Sequence, residues 1–241
     1  MRSVTSLTMD YKDLNKLIGL IRSETLQKKK ILPGGMFQKS KDFESSYLQL
    51  AKQYYQENVA SHAVAGFVND KNHDEISAYL REQEIDFRDA AITIDPETQQ
   101  CKSIQFSTSK LDPLLRHFLN DACRMLEALT EPLSTVLDVS AANKERSKES
   151  ISFNNYLKRV GKAKVKTGLN DDYFIAMYDE FWNDYKHSGS DSLTATNWYI
   201  TRDRVNVPQL YSPGIRHFQG HTVESFLENV TKNIHMLVTK L

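Results

Sequence analysis

The stretch LDPLLRHFLNDACRMLEALTEP, residues 111–132, carries the longest helical pattern in the chain. Its apolar residues recur at helical spacing and wrap most of a cylinder, and Asp112-Pro113 provides a favourable start for the helix. A helix that is apolar on nearly every side packs among other helices, so we expect this one at the centre of a bundle. After Pro132 we expect it to continue to about Val139.

Shorter helical patterns lie on both sides of this stretch. Before it, apolar spacing predicts helices from Tyr11 to Lys30 and from after Ser40 to about Asn58, a separate short apolar segment at Ser61–Val68, and a polar helix over Asp74–Glu84 capped by Asn72 or Asp74. After it, the spacing predicts helices over Ser147–Val160, over Asp171–Lys186, and from Ile215 or Thr222 to Leu241. The chain is therefore predicted to be mainly α, with an N-terminal helical segment over residues 1–110 and a four- or five-helix bundle over residues 111–241.

One segment reads as β structure instead. Residues 90–95 (AAITID) and 102–107 (KSIQFS) alternate apolar and polar side chains around Pro96-Glu97-Thr98, which predicts a β-hairpin. An isolated hairpin is only marginally stable in water, so it needs a neighbour. Either it lies on the helical body or it forms a small sheet with another segment, for which residues 197–207 (NWYITRDRVNV) are the candidate.

The composition excludes several classes of protein. The 241 residues contain 31 basic and 31 acidic side chains, so no overall positive charge draws the chain to nucleic acid or to a membrane. Cys101 and Cys123 are the only cysteines, too few for a disulfide scaffold, and we expect buried, reduced thiols. The start of the chain lacks the apolar region of a signal peptide, and no run approaches about 18 apolar residues. We expect a soluble, cytoplasmic protein without a membrane span.

The common motifs of nucleotide-binding proteins and hydrolases are absent from the sequence. It contains no GxGxxG or GxxxxGK[ST] phosphate loop, no GxSxG nucleophile elbow and no HExxH metal pair. A common hydrolase would therefore need an arrangement of residues that their spacing in the sequence does not reveal.

The charges are unevenly distributed despite the neutral total. Residues 144–168 hold eight basic and two acidic side chains, whereas residues 70–100 hold nine acidic and three basic ones. The densest part of the basic stretch, KRVGKAKVKTG, is predicted to be a loop that can bind phosphate. The alternatives are a solvated surface loop, or a contact in which the acidic and basic segments of two subunits face each other. The candidate phosphate-binding residues are Lys158, Arg159, Lys162, Lys164 and Lys166.

A second cluster of polar residues precedes the last predicted helix. The segment YSPGIRHFQGH, residues 211–221, places Arg216, His217 and His221 after a Pro-Gly turn. This spacing resembles the R-x4-6-H motif of the HEPN superfamily, and the resemblance covers residues 111–241. It implies a helical bundle, often dimeric, whose paired motifs form a metal-independent ribonuclease site without a cofactor. It also implies a role in a bacterial defence or toxin system, as a homodimer and with a possible partner protein.

The residue types of the motif suit cleavage of RNA by its own 2′-hydroxyl group. A histidine near neutral pH can take or give a proton, so His221 is the predicted base or acid. A guanidinium stays charged and binds two phosphate oxygens, so Arg216 is predicted to stabilise the transition state. His217 would orient the phosphate. Lys186, at the end of the preceding predicted helix, is a further candidate phosphate contact beside His187.

Other interpretations of the same residues stay open. If the last helix begins at Ile215, then His217, His221 and Glu224 lie on one helical face, and they could hold a divalent metal of a hydrolase, with His187 as an outside ligand. The histidines could instead be solvent-exposed at a helix start, and the protein a non-catalytic dimerisation or adaptor protein. Tyr199, on the strand predicted before the motif, either stacks on a nucleobase or packs within the protein.

Overall fold

The structure is a computed structural model, and it describes residues 11–82, 90–136, 193–202, 204–211, 220–239 and 241. Within these residues the chain is mainly helical, as predicted, with one small antiparallel sheet and a two-stranded ribbon. The helices are α1 (Tyr11–Gln27), α2 (Met36–Phe67), α3 (His73–Glu82), α4 (Leu111–Val136) and α5 (Val223–Thr239). The strands are β1 (Ala90–Ile94), β2 (Cys101–Phe106), β3 (Thr194–Ala195), β4 (Trp198–Thr201), β5 (Arg204–Asn206) and β6 (Leu210–Tyr211).

Helix α4 is the central element of the helical layer. Its apolar side chains are buried on several sides, against α2 on one side and α5 on another. The ring of Phe118 stacks on Phe43 of α2 at 5.2 Å between centroids and meets Phe226 of α5 edge-on at 5.9 Å. Such aromatic pairs add to the free energy gained by burial alone. The predicted central position of this helix is therefore confirmed.

Helix α1 packs along α5 and also caps it. Lys28, just after α1, donates hydrogen bonds from Nζ to the carbonyl oxygens of Val238 (2.6 Å) and Thr239 (3.2 Å). These carbonyls have no partner within α5 because they belong to its last turn. Lys28 therefore satisfies the C-terminal end of α5, a different helix from the one that it follows. His235 of α5 also lies 3.4 Å from the carboxylate of Glu24 in α1.

Helix α2 is longer than the sequence predicts. It runs unbroken from Met36 to Phe67, so the prediction of an end near Asn58 and a separate segment over Ser61–Val68 is wrong. The buried stripe continues through Ser61 and Val64, both fully or almost fully buried. Ser61 interrupted the apolar spacing in the sequence, but a small hydroxyl side chain fits the helix interface, and no helix-breaking residue stands between Asn58 and Val64.

The predicted hairpin pairs with the segment that the sequence suggested as its neighbour, residues 197–207. Strands β1 and β2 pair as predicted, and β4 and β5 from residues 197–207 extend them into a sheet of order β1-β2-β4-β5. Asp95 holds the turn, because its Oδ1 accepts hydrogen bonds from the backbone N–H groups of Glu97 and Thr98. Ile104 and Ile200 face α2 and α3 and form a second, smaller core with Val64, Val68, Ile76 and Leu80. The sheet therefore lies on the C-terminal half of α2 and on α3.

Two helix starts follow rules that are visible in the sequence. Asn72 caps α3: its Oδ1 accepts from the N–H of Glu75, and its own N–H donates to Glu75 Oε2, each at 3.0 Å. The sequence indicates Asn72 and Asp74 as possible caps of this helix, and the structure shows that Asn72 is the cap. Thr222 caps α5 by accepting the N–H of Ser225 at 3.1 Å, so that helix begins at Val223 and not at Ile215.

Several predictions fall outside the described residues. These are the helices over Ser147–Val160 and Asp171–Lys186, and with them the four- or five-helix bundle as a whole. The larger core joins residues from both sides of residue 110, since α1 and α2 pack with α4 and α5. Cys123 is buried as expected, whereas Cys101 is only half-buried, and the two do not form a disulfide. In the described part of the chain, no helix is long and apolar enough to cross a membrane.

The central position of α4 predicts the effect of truncating its side chains. Leu119 is fully buried, so Leu119→Ala should lower the free energy of unfolding by about 2–5 kcal/mol. Leu26→Ala is the matched control: that side chain is 51% exposed on α1, and its loss should cost about 0.5 kcal/mol or less. Urea unfolding followed by circular dichroism measures both. Equal losses for the two variants would contradict the central position of α4.

Candidate functional site

His221 lies immediately before the last helix, two residues ahead of Val223. Its carbonyl oxygen accepts a hydrogen bond from the N–H of Leu210 at 2.8 Å, and Gln209 and Thr222 form an isolated antiparallel bridge beside it. Gly220 precedes it with φ of 83°, a left-handed conformation that glycine adopts without strain. The backbone around His221 is thus held by pairing with Gln209 and Leu210, and its side chain is half-buried.

Polar side chains surround the ring of His221 on the first turns of α5. Its Nδ1 lies 3.5 Å from Oγ of Ser225, and that same Oγ accepts a hydrogen bond from Nδ2 of Asn229 at 3.3 Å. A contact of 3.5 Å is long for a hydrogen bond, so it orients the ring only loosely. Which of the two atoms donates depends on the tautomer of the imidazole ring.

Glu224 brings a carboxyl group to the same end of α5. It is half-buried, and burial together with the negative charge of Glu228 raises its pKa above the usual glutamate range. Its own charge acts on Tyr54 of α2, where burial and then Glu224 raise the pKa of the phenol. The start of α5 therefore lies close to the middle of α2.

Tyr54 lies between the start of α5 and the sheet. It stacks on Trp198 of β4 with 5.6 Å between ring centroids, and Trp198 is 1% exposed. The indole Nε1–H of Trp198 donates to Oε2 of Glu57 at 2.9 Å, and Oε1 of Glu57 accepts from Nε2 of Gln53 at the same distance. Burial raises the pKa of Glu57, while these two hydrogen bonds and Lys110 oppose the rise. Trp198 is thus fixed both by stacking and by a hydrogen bond.

The start of α4 clamps the neighbouring strand. Thr108 donates from Oγ1 to the carbonyl of Ala195 at 2.7 Å, and the N–H of Ala195 donates to Oδ1 of Asp112 at 2.9 Å. Burial raises the pKa of Asp112, while the hydrogen bond from Ala195 lowers it. Both backbone groups of Ala195 are satisfied by this clamp, which fixes β3 to the first turn of α4. Asp112 therefore has a structural role that accounts for its burial.

Most of the residues singled out from the sequence lie outside the described part of the chain. Of the motif, the structure describes His221, whereas Arg216 and His217 lie outside it, as does His187. All the candidate phosphate-binding residues also lie outside it: Lys158, Arg159, Lys162, Lys164, Lys166 and Lys186.

The metal-binding alternative loses part of its geometric basis. It required His221 and Glu224 to share a face of one regular helix, but the helix begins only at Val223, because Gly220 and the cap at Thr222 interrupt it. That part of the prediction is wrong. Among the residues that the structure describes, no group of three histidine, cysteine, aspartate or glutamate side chains could hold a metal ion.

The sequence did not single out Glu57, although it contains a signal for it. On α2 the buried stripe includes Tyr47, Leu50, Tyr54, Ser61 and Val64, and Glu57 stands at a position along that stripe. A charged residue at such a position is informative, because charged side chains are rarely buried without a partner. Its partner, Trp198, lies 141 residues away in the sequence, so the pairing itself was not visible there.

The raised pKa of Glu57 predicts how stability changes with pH. A carboxyl group with a higher pKa in the folded state takes up a proton on folding, so stability falls as pH rises from the ordinary glutamate pKa to the raised one. Glu57→Gln removes this titration, and its amide oxygen still accepts from Trp198. The stability of the variant relative to wild type should therefore increase as the pH rises above the ordinary glutamate pKa of about 4.3.

Thermal unfolding of both proteins across this pH range measures the difference. Glu97→Gln is the matched control, because Glu97 is exposed in the hairpin turn. A Glu57→Gln variant whose stability relative to wild type falls with rising pH would contradict the burial of this carboxylate.

Neither the known protein-family models, nor the curated proteins, nor the solved structures contain a match to this chain.

Proposed function

We propose that the chain is a metal-independent endoribonuclease of the HEPN type that acts in a bacterial defence or toxin system. The observation that supports it is the position of His221, which is half-buried directly before the last helix of the chain. In the superfamily that the sequence resembles, the motif lies at the start of a late helix. A histidine in the middle of the core would have had no access to a substrate.

In this proposal the motif residues divide the chemistry of the reaction. His221 exchanges a proton with the 2′-hydroxyl or with the leaving 5′-oxygen, and Arg216 stabilises the charge on the phosphate in the transition state. His217 orients the phosphate. The positive end of the α5 dipole adds a favourable field for an anion near His221.

The proposed nuclease also requires a second subunit and the basic stretch of residues 144–168. Two copies of the chain would pair their motifs in one composite site, so the functional form is a homodimer. Lys158, Arg159, Lys162, Lys164, Lys166 and Lys186 would bind the RNA backbone. A partner protein of the same defence or toxin system would control the activity.

Cleavage of a mixed RNA pool in the presence of EDTA tests the nuclease. Wild-type protein should cut, and Arg216→Ala and His221→Ala should each lose about 10²–10⁴-fold in rate, the usual contribution of acid–base groups. His73→Ala is the matched control, because His73 is exposed at the start of α3 and belongs to neither the motif nor the sheet. It should cut like wild type.

Circular dichroism must show that all four proteins are folded. Cleavage that both motif variants retain would refute the assignment, and so would cleavage that EDTA abolishes.

A second candidate function is supported by an exposed apolar stripe on α2. Leu48, Tyr55 and Val59 are 43%, 56% and 51% exposed, and their spacing places them on one face of the helix. Scattered exposed apolar residues are common, but three along one helix face favour an interaction surface. The candidate is a non-catalytic helical protein that dimerises or serves as an adaptor through this face.

Sedimentation velocity tests this second candidate. Val59→Asp should shift a wild-type dimer towards monomer, because a charge in an apolar contact loses its hydration without a partner. Leu20→Asp is the control, since Leu20 is equally exposed (48%) but lies on α1. A dimer that Val59→Asp leaves intact would exclude this face as the contact.

A further inference from the structure

One face of the four-stranded sheet carries an exposed aromatic ring, Tyr199. Because directly paired residues of antiparallel strands share a face, Tyr199 lies in a row with Gln105 on β2 and Asn206 on β5. Tyr199 is 38% exposed, and Gln105 is exposed beside it. The next row along the strands contains Thr93, Ser103, Thr201 and Arg204.

The opposite face of the same strand explains why Tyr199 points outwards. Trp198 and Ile200, its neighbours on β4, are 1% and 0% exposed. The hydrogen bond from Trp198 to Glu57 and the stacking on Tyr54 fix the register of β4. Since side chains alternate between the two faces of a strand, Tyr199 is held on the solvent side. Its ring is therefore presented by a rigid element and not by a loop.

The charge of this sheet favours an anionic partner. None of the four strands contains an aspartate or glutamate, although the chain has 31 acidic residues in total. The two charged residues of the strands are both basic: Lys102, exposed at the bulge of β2, and Arg204, exposed on the face of Tyr199. Lys102 also attracts Asp95 of the hairpin turn, whereas Arg204 forms no ion pair with a described residue. Asp203, its neighbour in sequence, lies outside the described residues.

We propose that this sheet face binds single-stranded RNA, with a base stacked on Tyr199 and a phosphate held by Arg204. Any nucleobase can stack on a tyrosine ring, and a guanidinium binds phosphate oxygens through two hydrogen bonds. Arg204 lies diagonally from Tyr199 across β4 and β5, a separation that a long side chain spans. Gln105 and Asn206 offer both donors and acceptors to the edges of the stacked base. That the bound RNA is also the substrate rests on the proposed nuclease, whereas the binding of RNA to this sheet face does not.

Fluorescence anisotropy with a labelled 2′-O-methyl oligouridylate of about 12 nucleotides tests the proposal. This probe lacks the 2′-hydroxyl that the proposed reaction uses, so it stays intact during the measurement. Tyr199→Ala should weaken binding about tenfold, the loss expected for one base stacked on an aromatic ring. Tyr199→Phe keeps the ring face and should bind like wild type.

The chain offers a matched control in Tyr211. It is also an exposed tyrosine (51%), but it lies on β6 of the separate two-stranded ribbon. Tyr211→Ala should bind like wild type. The proposal is overturned if the wild-type protein does not bind the probe, if Tyr199→Ala binds as tightly as wild type, or if an abasic probe of equal length binds as tightly as the oligouridylate.

The salt dependence of binding tests the phosphate contact separately. Each phosphate neutralised on a single strand contributes about 0.7 to the slope of log K against log salt concentration. Arg204→Ala should reduce the slope by that amount, and an unchanged slope would remove Arg204 from the contact. If the protein binds RNA through Tyr199 but cleaves no RNA, this inference holds and the nuclease is refuted. If the protein cleaves RNA and Tyr199→Ala changes neither binding nor cleavage, the nuclease holds and this inference is refuted.

Discussion

The contact of Phe118 with Phe43 and Phe226 holds helices α2, α4 and α5 in position relative to one another. Phe118 belongs to the central helix, and its ring meets α2 on one side and α5 on the other, with centroid separations of 5.2 and 5.9 Å. Protein interiors are packed like crystals, so a shift of any one of these rings would displace the two helices that meet it. The start of α5, with His221, is therefore fixed relative to the middle of α2, with Tyr54 and Glu57. The candidate site depends on this packing although it contains none of the three rings.

Helix α2 transmits the same constraint to the sheet. Its first half packs in the larger core and its second half in the smaller core beneath the strands. Trp198 lies at the junction, where its hydrogen bond to Glu57 ties β4 to the helix. Burying a carboxylate is unfavourable, and the raised pKa of Glu57 is the sign of that cost. The hydrogen bond between Trp198 and Glu57 gives β4 a single register, with Ile200 towards the core and Tyr199 towards solvent.

The sequence predicted those features whose signal is local. Alternation in AAITID and KSIQFS was sufficient for the hairpin, and the apolar residues around Leu119 were sufficient for the central helix. It failed where a small polar side chain is buried, as at Ser61, because apolar spacing cannot show that a serine fits a helix interface. It left two starts for the last helix, and the left-handed Gly220 and the cap at Thr222 decide between them in favour of the later one. Contacts such as that of Glu57 with Trp198 join residues far apart in sequence, and no periodicity reveals them.

In the proposed nuclease, RNA is cleaved by its own 2′-hydroxyl, with His221 moving the proton and without a metal ion. The chemical ends of the products test this most directly, because attack by the 2′-oxygen leaves a cyclic phosphate on one fragment and a hydroxyl on the other. Mass spectrometry of the fragments from a defined oligoribonucleotide distinguishes this outcome from attack by water. The proposal predicts 2′,3′-cyclic phosphate and 5′-hydroxyl ends. Fragments with 3′-hydroxyl and 5′-phosphate ends would contradict it.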